Sequence, residues 1–126
     1  MVVETTTKKL LNWFLGATGT LISDYNFASN NTTIIYTVPA NKILLVTAVS
    51  LSYFTNGATI SDTALLMLDG RDTLSLSCGN STSDSGSTSL NFIPPVRLTA
   101  GQKVEVFTNG VNMTADGYFA GYLIDT

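Results

Sequence analysis

Dipeptides that favour tight turns divide this chain into β-forming runs, and their spacing constrains the fold more than any other feature. Asn56-Gly57, Asp69-Gly70 and Asn109-Gly110 each lie between such runs. Both central residues of a type I′ turn need positive φ, which Asn, Asp and Gly tolerate most easily. We therefore predict a β-hairpin at each dipeptide. The clearest is Asp69-Gly70, where the run 64–68 precedes the turn and the run 71–76 follows it.

Eight runs have the length and composition of β-strands: 20–27, 32–38, 42–54, 64–68, 71–76, 87–93, 103–108 and 118–124. Helix-forming sequence is scarce, and a chain of 126 residues suffices for one domain with its own core. We therefore predict an all-β fold, an antiparallel β-sandwich of jelly-roll type with about eight strands, formed by residues 28–126. Residues 1–27 are predicted to form an extended N-terminal arm or a first strand.

Two of these runs, 42–54 and 118–124, are apolar on both of their alternating faces over much of their length. Strict alternation would leave one face of the strand in water. The observed pattern instead predicts burial on both faces, with the outer face covered by a neighbouring subunit. A positive mean hydropathy favours the same interpretation. The candidate interface residues are Trp13, Phe14, Leu15, Leu44, Val46, Tyr118, Phe119 and Tyr122.

The chain offers few groups that could perform catalysis, since it has no histidine, one cysteine and 12% charged residues. No histidine is available to activate Cys78 as a nucleophile. Glu4 and Glu105 are the only glutamates, and no carboxylate pair is placed as glycoside hydrolysis requires. We predict that the protein is not an enzyme, with no catalytic, metal-binding or cofactor-binding residues and no cofactor.

A calcium site is the one metal site worth considering from the acidic residues, because calcium needs several oxygens that converge on one point. Asp69 and Asp72 are close in sequence, but they belong to a predicted hairpin tip, and the tip is the favoured interpretation. The four aspartates considered are Asp62, Asp69, Asp72 and Asp84.

The charge balance of six Lys and Arg against nine Asp and Glu gives a net charge of −3. Binding to a nucleic-acid backbone needs clustered positive charge, and only Lys8-Lys9 places two basic residues together. No apolar run reaches the roughly 18 residues of a membrane span. We therefore predict neither a nucleic-acid partner nor a membrane partner.

Residues 77–89 form a serine-rich segment without large apolar side chains, which predicts a surface loop. A flexible connection is the simpler interpretation. The alternative is a recognition loop displayed at one end of the sandwich, with nearby tyrosines that stack against a sugar. Tyrosines are also ordinary core and interface residues, so the pattern leaves both interpretations open.

Three stretches within about the last 90 residues resemble strand and turn patterns of small phage virion proteins. Residues 36–47, Tyr-Thr-Val-Pro-Ala-Asn-Lys-Ile-Leu-Leu-Val-Thr, are similar to their opening pattern TVPAGKxLxVT. Residues 94–106 are similar to their strand pair P-x-x-L-x-A-G-x-x-V, and residues 117–124 to their closing pattern GxxxGYLI. Asn41 stands where the first pattern has glycine, and Asn tolerates the same left-handed backbone.

The resemblance implies a jelly-roll or tumour-necrosis-factor-like sandwich that serves as a head-decoration, head-fibre or tail-associated module, commonly as a trimer. We expect a non-enzymatic structural virion protein that decorates or cements a capsid by bridging neighbouring subunits. Its location would be the virion, after synthesis in the host cytoplasm. The expected partners are the major capsid protein or another virion protein, with a homotrimer of this chain. The alternative is a receptor- or glycan-binding tip module of a phage fibre or tail, which would use residues 77–89.

Overall fold

The computed structural model describes residues 19–57, 62–79 and 83–126, and the regular structure of these residues consists of eight β-strands. They are β1 (Thr20–Ser29), β2 (Thr32–Thr37), β3 (Lys42–Thr55), β4 (Thr63–Leu68), β5 (Arg71–Ser77), β6 (Ser85–Thr99), β7 (Lys103–Thr108) and β8 (Met113–Asp125). Most of the predicted arm lies outside the described residues. Within them, no helix is long and apolar enough to cross a membrane.

The strands form two four-stranded sheets that enclose the core. The first sheet has the order β1-β8-β3-β6 and the second the order β2-β7-β4-β5. All neighbouring strands are antiparallel. Because each sheet takes strands from both ends of the chain, most connections cross from one sheet to the other. This arrangement is that of a jelly roll, so the predicted antiparallel sandwich of about eight strands is confirmed.

Only one of the three predicted hairpins is present, because only one dipeptide joins strands of the same sheet. Asp69 and Gly70 have φ values of 53° and 73° and join β4 to β5, as a type I′ turn requires. The hairpins predicted at Asn56-Gly57 and Asn109-Gly110 are wrong. These dipeptides connect β3 to β4 and β7 to β8, which lie in opposite sheets, and none of their residues has positive φ.

A β-bulge at Thr47 explains why the run of β3 is apolar on both alternating faces. The register of β3 with both of its neighbours shifts at this residue. Even-numbered side chains such as Leu44 face the core before the bulge, and odd-numbered ones such as Leu51 face it afterwards. On the outer face before the bulge, Ile43 is buried and Leu45 is half-buried. The apolar pattern therefore reflects a change of parity as well as an outer apolar patch.

The core lies between the sheets and needs no disulfide. Phe119 of β8 is the largest fully buried side chain, and its ring centroid lies 5.4 Å from that of Tyr36 in β2. Among the described residues, no buried side-chain nitrogen or oxygen lacks a hydrogen-bond partner. The other fully buried large side chains are Leu44, Leu51, Leu66, Met113, Val38, Val46, Val49, Val104, Val106 and Thr108.

The serine-rich segment contains more strand than predicted. β5 ends at Ser77 and β6 begins at Ser85, so the connection spans only residues 78–84. Residues 85 and 86 are predicted only as loop, which is wrong, because they pair with residues 54 and 53 of β3. Residues 87–89 fall within both the predicted strand 87–93 and the predicted loop, and they are strand, because they pair with residues 50–52. Backbone pairing defines this part of β6. Since β6 is an edge strand whose alternate side chains are exposed, it tolerates serine there.

Candidate interface on the outer face of the first sheet

Large apolar side chains are exposed along the outer face of the first sheet. On β1, alternation directs Leu21, Tyr25 and Phe27 outwards, where they are 67%, 73% and 58% exposed. The register places Tyr118 of β8 opposite Tyr25 and Tyr122 opposite Leu21. We call this surface the aromatic face, and it comprises Leu21, Tyr25, Phe27, Phe54, Tyr118 and Tyr122.

The aromatic face lies mainly on β1 and β8, and two apolar side chains of β6, Leu90 and Ile93, are exposed apart from it. Tyr25 and Tyr118 form its centre, since side chains directly opposite each other in an antiparallel pair have Cβ atoms about 5 Å apart. Towards β6 the outer face becomes polar, with Ser50 of β3 opposite both Tyr118 and Ser89. An apolar patch with a polar margin is the usual composition of a protein-protein contact surface.

The backbone of β1, the edge strand beside this surface, is already partly hydrogen-bonded to its own side chains. The N–H of Tyr25 donates to Asp24 Oδ1 at 2.8 Å. The N–H of Phe27 donates to Asn26 Oδ1 at 2.9 Å. These N–H groups are therefore not free to pair with an added strand, so a partner would meet the surface through side chains.

Asn26 also joins the two sheets at this edge. Its Nδ2 donates to the carbonyl oxygen of Ile34 in β2 at 3.2 Å. The register of β2 with β7 shifts between Ile34 and Tyr36, directly beside this contact. The side chain of Asn26 therefore forms hydrogen bonds within β1 and to β2. It links the strand that carries much of the aromatic face to the edge of the second sheet.

The predicted interface residues fall into three groups. Tyr118 and Tyr122 lie on the aromatic face. Leu44, Val46 and Phe119 are fully buried in the core of the subunit itself. Trp13, Phe14 and Leu15 lie outside the described residues. Sequence reasoning missed Leu21, Tyr25, Phe27 and Phe54, although the odd-numbered apolar residues of β1 were a signal.

The serine-rich connection is anchored at both ends. At its start, the N–H of Cys78 donates to the carbonyl oxygen of Asp62 at 3.0 Å. At its end, the N–H of Asp84 donates to Thr55 Oγ1 at 2.7 Å, and the hydroxyl of Tyr53 donates to Asp84 Oδ2 at 2.8 Å. Burial, with this hydrogen bond as a second cause, raises the pKa of Tyr53 to about 12.

The raised pKa of Tyr53 predicts a loss of stability at alkaline pH. The unfolded chain releases this proton near pH 10 and the folded chain near pH 12, so the stabilisation is complete below pH 10 and is lost as the pH rises through 12. Denaturant titrations across this interval should show a smaller loss for Tyr53→Phe than for the unmodified protein. Equal losses in the two proteins would contradict the assignment. At neutral pH the variant should lose about 1.5 kcal/mol, because a hydrogen bond to a carboxylate is removed.

The aspartates considered for calcium do not converge. Asp69 accepts a hydrogen bond from Gln102 Nε2 at 2.8 Å, whereas Asp84 bonds Tyr53 at another part of the sandwich. Within residues 19–57, 62–79 and 83–126, no group of three or more His, Cys, Asp or Glu side chains could hold a metal ion. These carboxylates have identifiable roles in fixing turns and connections.

Comparison with known proteins finds similarity of fold and not of sequence. No protein-family model matches the chain, and no curated protein matches it. A chain of the acidic stable capsid structure of Helicobacter pylori bacteriophage KHP30 aligns with a TM-score of 0.52 at 12% identity, over 87% of this chain and 94% of that one. Most of this chain thus has a counterpart of similar fold in a chain of a phage capsid structure.

Two other solved structures also align with this chain. The dimeric latent PorU of Porphyromonas gingivalis aligns with a TM-score of 0.55 at 11% identity, over 82% of this chain. This chain spans only 12% of that much longer protein. A chain of the cyanophage Pam1 capsid asymmetric unit aligns with a TM-score of 0.49 at 16% identity, over 82% of this chain and 85% of that one.

Proposed function

We propose that this chain is a non-enzymatic structural protein of a virus particle, which decorates or cements the capsid by bridging neighbouring subunits. The aromatic face is the observation that carries the proposal. Its partners would be the major capsid protein or another virion protein, together with further copies of this chain in a homotrimer. The location would be the virion, after synthesis in the host cytoplasm.

The chemistry of the aromatic face supports association rather than catalysis. Tyrosine and phenylalanine provide large rigid contact areas and are enriched where interfaces concentrate their binding energy. Tyr25 is 73% exposed in the single subunit, so a partner could remove much of its surface from water. On a symmetric capsid lattice, several such contacts per particle would make a modest affinity at each site sufficient.

The similarity to the KHP30 capsid structure supports the viral context of the proposal. That likeness is one of fold, at 12% identity. It is informative here because nearly the whole length of the other chain, 94%, is matched, which is the relation expected between two single-domain subunits. In the proposed assembly, Tyr118 and Tyr122 contact a neighbouring subunit, and the segment containing Trp13, Phe14 and Leu15 contacts a second copy or the capsid shell.

The proposal is tested by the composition of the particles made by the virus that encodes this chain. We expect this chain to sediment with particles purified on a density gradient, in a fixed ratio to the major capsid protein measured by quantitative mass spectrometry. Particles depleted of the chain should take it up again in a saturable manner. Absence of the chain from purified particles would exclude a structural virion role.

The aromatic face should control association of the purified chain. The double variant Tyr25→Ser and Tyr118→Ser removes the central pair, so we expect the concentration needed for half-assembly to rise at least about tenfold in light scattering across a dilution series. Val111→Ser is the matched control, because Val111 is also 73% exposed but lies in the connection between β7 and β8. Equal effects of the two changes would show that the aromatic face is not the interface.

The alternative function, a receptor- or glycan-binding tip module, is favoured by the anchoring of the serine-rich connection at both ends. The hydrogen bonds of Cys78 and Asp84 fix the two ends of the connection on the sandwich, where a recognition loop would need its ends to be held. Replacing residues 79–83 by a glycine-serine linker separates the two functions. Loss of cell adsorption with retained binding to particles would support the tip module. Unchanged cell adsorption and unchanged binding to particles would support capsid decoration through the aromatic face, whereas loss of binding to particles would contradict it.

A further inference from the structure

An open cleft of about 410 Å³ lies at one end of the β5–β6 side of the sandwich, the side opposite to the β1–β2 edge. Its walls come from the start of β5, the second half of β6 and the residues that precede β7. On the β1–β2 side, Asn26 bonds the two sheets together. The volume of the cleft is within the range of small-molecule sites, roughly 300–1,000 Å³.

Irregularities in both edge strands lie at this cleft. β5 skips Thr73 in its pairing with β4. β6 leaves residues 92–95 unpaired opposite Thr47 of β3. Bulges redirect side chains and are common beside binding sites, and here Thr73 and Phe92 both line the cleft. The shape of the cleft therefore follows from two register breaks on facing strands.

Both arginines of the chain line this cleft, although they come from different sheets. Arg71 begins β5 in the second sheet and Arg97 lies in β6 of the first. Both side chains are exposed, and within the described residues neither forms an ion pair with a carboxylate. Guanidinium groups bind carboxylates through paired hydrogen bonds, so Arg71 and Arg97 can bind an anionic group of a ligand, while Asp69 and Asp72 balance the charge of the cleft.

Two carboxylates at the cleft, those of Asp69 and Asp72, provide hydrogen-bond acceptors. Gln102 holds Asp69, because its Nε2 donates to Asp69 Oδ2 at 2.8 Å. The amide of Gln102 is itself fixed, since its Oε1 accepts from the N–H of Thr99 at 2.7 Å. Asp72 is exposed and lines the same cleft. The cleft therefore presents hydrogen-bond acceptors beside the donors of the two arginines.

Apolar side chains supply the remaining surface. Phe92 and Val96 pack against the core and also line the cleft. A matching ligand thus carries an anionic group, groups that both donate and accept hydrogen bonds, and one apolar surface. An acidic sugar has all three: a carboxylate for the arginines, hydroxyl groups that donate to Asp72, and a ring whose C–H groups can pack against Phe92.

We propose that this cleft binds acidic saccharides, that is, sugars that bear a carboxylate. A simple inorganic anion would use only the arginines and would leave the apolar wall without a role. The proposal goes beyond the structural role suggested above and does not depend on it. The cleft shares no residue with the aromatic face, although the register places Arg97 and Tyr122 on either side of Leu45.

The test is a titration of the full chain followed by the amide resonances in two-dimensional NMR. D-glucuronate and D-glucose differ only at the carboxylate, and acetate supplies the carboxylate without the ring. We expect glucuronate to shift the resonances of residues 69–73 and 91–98 saturably. Glucose and acetate should each require about tenfold more ligand, because a charge-assisted hydrogen bond is worth about that factor.

Substitution of each arginine tests whether the guanidinium groups bind the carboxylate of glucuronate. Arg71→Gln and Arg97→Gln should each weaken the binding of glucuronate about tenfold and leave the weak response to glucose unchanged. Lys42→Gln makes the same change in net charge at an ion pair with Asp125 that does not line the cleft, and this variant should bind glucuronate as the unmodified chain does. Since both arginines are exposed, we expect the spectra of the variants to show a folded chain.

Three results would overturn the proposal. They are shifts that map outside the cleft, undiminished binding of glucuronate by Arg97→Gln, and binding of acetate as tightly as glucuronate, which would indicate a simple anion site. None of these results would bear on the virion proposal. That proposal fails instead when the chain is absent from purified particles, so the two failures are distinguishable.

Discussion

Replacing Gly121 by alanine should lower the free energy of unfolding by about 3 kcal/mol or more. Gly121 lies in β8 opposite Val46, directly beside the bulge of β3. A Cβ atom at this position would lie 2.3 Å from the carbonyl oxygen of Leu45 and 3.1 Å from Val46 Cα. Because these are backbone atoms of a paired strand, the clash cannot be relieved by rotating a side chain. The central strands of the first sheet would have to separate.

Guanidinium titrations followed by far-ultraviolet circular dichroism measure this effect. Gly79→Ala is the matched control, because among the described residues other than Gly79 and its chain neighbours, no atom lies within 4 Å of the Cβ position there. We expect that variant to unfold within about 0.5 kcal/mol of the unmodified protein. Similar midpoints for Gly121→Ala and Gly79→Ala would show that β3 and β8 do not approach as closely as described.

The neighbouring residues Tyr118 and Phe119 should respond to alanine substitution in opposite ways. Phe119 is fully buried and contacts Tyr36, so Phe119→Ala should cost about 4 kcal/mol of stability through a cavity and a lost aromatic contact. Tyr118 is 39% exposed on the aromatic face, and Tyr118→Ala should cost less than about 1 kcal/mol. The main expected effect of Tyr118→Ala is weaker association between subunits.

The measurement combines denaturant titration at low concentration with light scattering over a dilution series. A large loss of stability for Tyr118→Ala at a concentration where the chain is monomeric would contradict its position outside the core. For Phe119→Ala, stability close to that of the unmodified protein would show that β8 has been assigned the wrong face. The two substitutions together therefore test the alternation of β8 without reference to any partner.

The features that sequence reasoning predicted well have local causes. The turn at Asp69-Gly70 follows from the positive φ of its two residues. Asn41 was expected to replace a glycine in a left-handed position, and its φ is 62°. Gly101, at the similar turn before β7, has a φ of 87°. Backbone preferences of this kind depend on one or two residues, so the sequence alone reveals them.

The location of the candidate sites depended on contacts between distant residues. The runs 42–54 and 118–124 are apolar at both odd and even positions. The sequence therefore could not show that Leu44 and Phe119 face the core while Tyr118 faces outwards. The bulge at Thr47 changes the parity of β3, and it arises from pairing with β8 and β6. The cleft was not predictable either, since Arg71 and Arg97 become neighbours only through the meeting of two sheet edges.

The amino-acid sequence by itself determined the β class, the approximate number of strands, the turn at Asp69-Gly70 and the scarcity of catalytic groups. These follow from composition, alternation and local φ preferences, which act over a few residues. Only the tertiary structure decided which strands share a sheet, and that Asn56-Gly57 and Asn109-Gly110 connect opposite sheets. It also decided that residues 85 and 86 extend the predicted strand and that residues 87–89 are strand rather than loop, because the hydrogen bonds of an edge strand come from a partner remote in sequence.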